Sequence, residues 1–239
     1  AQCLVGSEMC IRDRRDAAPS AVGPWKADGM LNWLTRQRRQ LHSFYRDGFG
    51  RALGMTVLAF AAVMVVSYAV TMANAAPIER LMNLFREQIA DRGIVDADGN
   101  FSAVKLFFNN FQACLLAVGY GFIPFLYLPA VSLGINAMMF GGFASYYVQQ
   151  GLPLWYYGAG TLPHGVFELP ALFMAMAGGL YLCRTIVRYV RHNEKGLVGP
   201  AVLNLARLLV MHITPLLMAA AAIEAYVTPV VMEALARYI

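Results

Sequence analysis

His164 and Glu168 stand four residues apart, on one face of a single helical turn, and an almost uncharged apolar run follows them. With Glu224 they make a set able to hold a divalent metal, because a catalytic zinc needs about three protein ligands and an open position. No His-Glu-x-x-His pattern accompanies them, and no Ser or Cys nucleophile has a suitably spaced partner. Enzymatic chemistry is therefore not expected, and no catalytic residue, metal or cofactor is assigned. Two alternatives remain. Carboxylates at membrane depth could relay protons or coordinate an ion, which makes Glu168 and Glu224 candidates for a transport path. The same residues could instead hold helices together. Pro163 would then precede a helix, Glu168 would favour its N-terminus, and Glu224 would bond His164 or a freed backbone amide.

The chain that must position these groups has 239 residues, 59% of them hydrophobic and 14% charged. A soluble domain is roughly 25% charged, so long apolar blocks explain the deficit better than a large globular core. The net charge is +5, and the basic residues are clustered. Arg36, Arg38, Arg39, Arg46 and Arg51 precede the first apolar block; Arg184, Arg188, Arg191 and Lys195 follow the fourth. Clusters that flank apolar spans follow the positive-inside rule, so nucleic-acid binding, the competing explanation of basic patches, is not expected.

The first residues are set aside. The run from Leu4 to Asp13 is what the DNA string CTCGTGGGCTCGGAGATGTGTATAAGAGAC encodes, which resembles an adapter of transposase-based sequencing libraries, and Cys3 and Arg14 fit its flanks. Residues 1–14 are therefore expected to be non-native, residues 15–51 a basic juxtamembrane region, and 52–239 the transmembrane domain. Of the four cysteines, Cys114 and Cys183 remain; both lie in apolar spans, where Cys acts as a small hydrophobe.

Leu31, Leu34, Leu41, Phe44 and Tyr45 recur between arginines, which predicts a basic amphipathic helix on the cytoplasmic face. A first span is expected over about Ala52–Asn74, long enough to cross the ~30 Å hydrocarbon layer. Pro77 should open a short surface helix with Ile78, Leu81, Met82, Phe85 and Ile89 on one stripe and Gly93 as its stop. Asp96 to Asn100 lacks the remaining ligands of a calcium loop and is expected to be a turn. A second span follows over about Lys105–Leu128, with Pro129 and Gly134 as a tight inner connection. A short, glycine-interrupted third piece over about Asn136–Gln149 has the character of a discontinuous helix. Trp155, Tyr156 and Tyr157 suit an interfacial aromatic belt.

The fourth span, about Val166–Tyr189, carries Ala171, Ala175 and Gly179 at intervals of four, and Gly165 at its start is counted with them as a helix-packing residue. Such small-residue ridges let helices approach closely. The fifth, about Ala201–Tyr226, holds Arg207, His212, Pro215 and Glu224, and Val230 to Tyr238 could lie along the interface. The fold class is accordingly an all-α polytopic membrane bundle of about five transmembrane helices. The charge bias places the N-terminus in the cytoplasm and the C-terminus outside. With five crossings, His164 and Glu168 begin the fourth span on its outer side, Glu224 ends the fifth there, and Asn109 and Asn110 begin the second. These groups should share one depth beneath the outer surface.

Pro163-His164-Gly165, Glu168, Pro170-Ala171 and Ala177-Gly178-Gly179 resemble the signature of the stage II sporulation protein M family. Phe108-Asn109-Asn110, Gly119-x-Gly121 and Asn136 with Gly141 are similar to the family's preceding segment, and Ala220 to Tyr226 followed by Pro229 to its closing span. The resemblance covers about Leu53–Pro229. One departure is Ala137, where the family usually has Gly, so no close backbone approach is expected there. The resemblance implies a multi-pass protein of the bacterial or archaeal inner or plasma membrane without catalytic activity of its own. In the sporulation member that role is to hold peptidoglycan-degrading enzymes at the membrane during engulfment. The expected function is a scaffold with an outer-facing surface for envelope or cell-wall-remodelling partners; the alternative is a transporter or channel subunit using the buried His and Glu residues. Expected partners are the lipid bilayer and membrane or envelope proteins, with oligomerisation left open.

Overall fold

The computed structural model describes residues 27–74, 101–194 and 196–239, with 78–80, 82, 83, 87 and 94 between them. The adapter-like residues, the turn at 96–100 and most of the helix expected after Pro77 lie outside the described residues. Contacts divide the chain into two units, Ala1–Arg38 and Arg39–Ile239. In the first, the described residues are helical; Thr35 Oγ1 donates to the Leu31 carbonyl at 2.8 Å, and Leu31, Trp33 and Leu34 are exposed.

The chain is helical throughout its described length apart from short connections. Helix α1 (Ala27–Phe44) ends in a π turn at Tyr45–Phe49. Within that turn the backbone leaves helical geometry at Asp47 and at Gly48, whose φ of 111° suits a residue without a Cβ. Helix α2 (Gly50–Ala73) follows. Its apolar run contains no charge, and Thr56 and Thr71 return their hydroxyls to carbonyls one turn back, Ala52 and Ser67. Both threonine hydroxyls are thereby satisfied within the helix, as an apolar surrounding requires.

Helix α3 (Ala103–Gly119) starts at Ser102, whose side chain caps the Lys105 amide, and closes in a 3-10 turn at Tyr120–Phe122. It stops well short of the expected Leu128. Helix α4 (Leu128–Gln149) instead begins there and is one unbroken 22-residue element. The expected inner connection at Pro129 and Gly134 is thus corrected: both lie inside α4. Tyr127, in left-handed geometry at φ 45°, makes the corner, and Pro129 sits in the first turn, where its missing N–H costs no helical hydrogen bond. The third piece is therefore neither short nor discontinuous.

Helix α5 (Leu154–His192) runs 39 residues straight through Pro163 and Pro170. Pro163 does not precede the helix, as expected, but interrupts its hydrogen bonding from within. In a membrane protein such freed carbonyls are satisfied by neighbouring helices and local adjustment, so the prolines are tolerated. Helix α6 (Val198–Leu208) passes through a π turn, Leu209–Ile213, into α7 (Thr214–Tyr226), and α8 (Thr228–Ala236) follows. Pro215 lacks the N–H that would bond the carbonyl four residues back, which accounts for the widened turn before it. The Thr214 hydroxyl bonds the Leu209 carbonyl at 2.8 Å.

Among the described residues, four stretches are long and apolar enough to cross a membrane: Gly29–Ala73, Leu128–Gln149, Leu154–His192 and Val198–Ala236. The 17-residue α3 is shorter and lies against α5 and α7. Contacts give the directions. Ser67 meets Met138 and Thr71 meets Ser145, so α2 and α4 run parallel. Tyr147 rests on Tyr156 and Tyr157 across the short α4–α5 turn, so those helices are antiparallel. Gly178 abuts Leu205 while Gly160 abuts Met232, so α5 opposes α6 to α8. Leu106 packs on Ala221 and Val118 lies near Gly178, which makes α3 parallel to α5.

Small residues set these distances. Ala171 and Ala175 are fully buried on α5. A Cβ at Gly179 would collide with the Ala117 carbonyl oxygen and the Pro129 ring, and one at Gly121 with the Gly179 carbonyl oxygen at 2.6 Å. Helix α5 therefore touches the end of α3 backbone to backbone, and the Pro129 ring of α4 presses on the same level. Ala137 is fully buried, and the close approach of α4 to α2 falls four residues later, at Gly141 against Met64 and Tyr68.

Candidate functional site

The first part of α5 carries His164 and Glu168 one turn apart. The last turn of α7 carries Glu224, and α8 begins with Thr228 one turn beyond it. Because α5 and α7 are antiparallel, these stretches meet. A ligand atom from each of His164, Glu168 and Glu224 lies within 4.8 Å of the others, and all three residues are half-buried. His164 Nδ1 stands 3.3 Å from Thr228 Oγ1, and the Thr228 hydroxyl donates to the Ile223 carbonyl at 3.3 Å. Among the described residues neither carboxylate is paired with a lysine or arginine; an ion pair between Arg188 and Glu194 lies at the other end of α5. Two unit charges at such a separation repel by about 3 kcal/mol at an effective dielectric near 20. The cluster is therefore an energetic demand on the fold that a shared cation or proton would relieve.

The other polar residues singled out in the sequence take different places. Asn109 and Asn110 are half-buried on α3 and joined to each other, Nδ2 to Oδ1 at 3.2 Å. They follow Leu106, which packs on Ala221 beside the Glu224 turn. The buried Cys114, one turn further along α3, lies within electrostatic reach of Glu168. Asn136 gives its amide to the Ser132 carbonyl of its own helix at 2.8 Å. A Cβ at Gly165 would make only ordinary contact with Thr161 and Leu169, both on the same helix.

Thr228 went unnoticed in the sequence, although its position four residues after Glu224 was a usable signal. A polar seam between α2 and α4 was also missed. Ser67 Oγ donates to the Met138 carbonyl at 2.9 Å, Thr71 and Ser145 share a hydrogen bond at 2.6 Å, and Gln149 reaches the Thr71 carbonyl at 2.8 Å. Serine and threonine in an apolar run carry no pattern that names a partner on another helix. A third polar contact joins the two π turns: Tyr45 Oη lies 3.1 Å from His212 Nδ1 and 3.0 Å from Met174 Sδ. Tyr45→Phe removes the hydroxyl while keeping the ring, and is expected to cost about 1 kcal/mol; the unfolding midpoint of the purified variant measures it.

The family model described as stage II sporulation protein M matches residues 37–229. The chain belongs to that family. No curated protein and no solved structure matches the chain. The stage II sporulation protein M match begins inside α1, ahead of the Leu53 boundary expected from the sequence, and so takes in the π turn with Gly48. It also contains the whole His164–Glu168–Glu224 cluster together with Thr228.

Proposed function

We propose that this chain is a non-enzymatic scaffold of the bacterial or archaeal inner or plasma membrane, presenting an outer-facing surface to envelope or cell-wall-remodelling partners. The observation that carries the reading is membership of the stage II sporulation protein M family over residues 37–229. Close packing supports it. Helices whose backbones touch at Gly121, Gly141 and Gly179 suit a rigid platform better than a path that must open. With the N-terminus in the cytoplasm, the alternating helix directions put the start of α5 and the end of α7 on the outer side. A reporter fused after Ile239 is then expected to be active outside the cytoplasm, and cytoplasmic activity would contradict this orientation.

The Glu168–Glu224 pair favours one second reading, a transporter or channel subunit that couples protons or ions. Glu168→Gln/Glu224→Gln separates the two, because glutamine keeps hydrogen-bonding capacity and loses the charge. The scaffold predicts no flux above empty proteoliposomes for either protein, and partner capture that survives the double substitution. Selective flux through the unsubstituted chain, lost in the double variant, would replace the scaffold with the transporter.

A further inference from the structure

We propose that His164, Glu168 and Glu224 bind a divalent first-row transition metal ion, with Zn2+ the best fit. The proposal stands apart from the scaffold reading, since a chain without partners would still bind the ion.

Three separate observations converge on it. One imidazole and two carboxylates, drawn from two antiparallel helices, bring their ligand atoms within 4.8 Å of one another. Around a tetrahedral zinc with ~2.0–2.2 Å bonds, ligand atoms stand about 3.3 Å apart. Rotations of the two flexible glutamate heads cover that difference without moving a helix.

The second observation concerns the histidine. Thr228 has one hydroxyl hydrogen, and it goes to the Ile223 carbonyl. The threonine oxygen is then placed to accept from His164 Nδ1–H in the tautomer that a metal on Nε2 requires. In that tautomer Nε2 keeps its lone pair, the form of the ring that ligates metals. A ring nitrogen fixed by an outer partner is the arrangement in which metal-binding histidines are held. Third, the two carboxylates are half-buried together with no lysine or arginine paired to either among the described residues. A divalent cation supplies the missing positive charge.

The donor set also selects the ion. Calcium takes six to eight oxygens, and magnesium prefers oxygen and keeps several waters, so an imidazole disfavours both. No thiolate belongs to the set, which disfavours copper(I) and iron–sulfur chemistry. Three protein ligands of this kind leave an open position, as in non-closed zinc sites. Coordination would tie α5 to α7 at one end of the bundle.

The test uses the full chain carrying an affinity tag without histidine, reconstituted in lipid nanodiscs, stripped with a chelator and titrated with Zn2+ alone. Bound metal is read by elemental analysis after desalting, and stability by the thermal midpoint. The expected result is about one zinc per chain and a midpoint that rises with zinc concentration. Glu168→Gln and Glu224→Gln should each abolish stoichiometric binding. Thr228→Val, which removes no ligand, should weaken affinity roughly tenfold or more. The zinc-free midpoints of the variants report whether each has folded. Failure of the unsubstituted chain to retain zinc would overturn the proposal, as would undiminished binding by the Glu168→Gln/Glu224→Gln double variant. Displacement of zinc by millimolar Ca2+ would overturn the assignment to a transition metal.

Discussion

Gly141→Ala and Gly179→Ala are each expected to lower the unfolding free energy by about 1–3 kcal/mol, the usual cost of forcing a methyl group into a full interface. At Gly179 the new Cβ would run into the Ala117 carbonyl oxygen and the Pro129 ring; at Gly141 it would strike the Met64 carbonyl oxygen and stand 2.9 Å from the Tyr68 nitrogen. These obstacles are mainly backbone and proline ring, which cannot turn aside as a flexible side chain does. The helices would have to separate; at Gly141 that pulls α2 from α4 and with it the hydrogen bonds from Ser67 to Met138 and from Thr71 to Ser145. Gly54→Ala and Gly134→Ala are the controls. Nothing lies within 4 Å of a Cβ at either position, and alanine is favoured over glycine in a helix by up to about 1 kcal/mol. SDS-titrated unfolding in mixed micelles should therefore order the four variants with opposite signs. Equal effects at all four positions would contradict the packing described above.

A larger loss is expected from Phe49→Ala, about 3–5 kcal/mol. Phe49 is 0% exposed. Its ring stacks on Phe44 at 4.5 Å, meets Tyr45 edge-on at 5.2 Å and approaches Tyr181 of α5 at 6.2 Å. Phe44 in turn meets Tyr181 at 5.1 Å. The cluster fastens the turn between α1 and α2 to the middle of the bundle. It exists because Gly48, with its positive φ, redirects the chain just before Phe49. Each aromatic pair adds about 0.5–1.5 kcal/mol beyond burial, so Phe49→Leu should recover most of the area and little of the pairing. A loss under 1 kcal/mol for Phe49→Ala would mean that this turn does not hold the first span in place.

The sequence exposed the polar cluster because two of its members share a helical turn and the third closes an apolar run at the same depth. Charge bias and length supplied that depth without any contact being known. The all-α membrane class was legible for the same reason, since uncharged runs of such length have few other uses. Element boundaries were harder to see. Pro129 and Pro163 both read as punctuation in the sequence, yet one lies in the first turn of α4 and the other well within α5. In water a mid-helix proline is a strong stop. Between packed membrane helices it is a local adjustment, and the sequence carries no mark of which rule applies. The kink at Asp47–Gly48 and the Tyr45–His212 contact depend on a π turn in each of two distant segments, which no periodicity announces. The Gly121–Gly179–Pro129 contact was half visible: the ridge on α5 could be read, but not the two helices that press on it.

We propose that this member of the stage II sporulation protein M family works by holding other proteins at the membrane. The most direct measurement is chemical crosslinking in native membranes of cells expressing the full chain, followed by mass-spectrometric identification of what is captured. Crosslinks are expected from the segments around Trp155 and Tyr226, on the proposed outer side, to envelope or cell-wall-remodelling proteins, retained in the Glu168→Gln/Glu224→Gln variant. Capture of only further copies of the chain, or of partners confined to the cytoplasmic side, would contradict it.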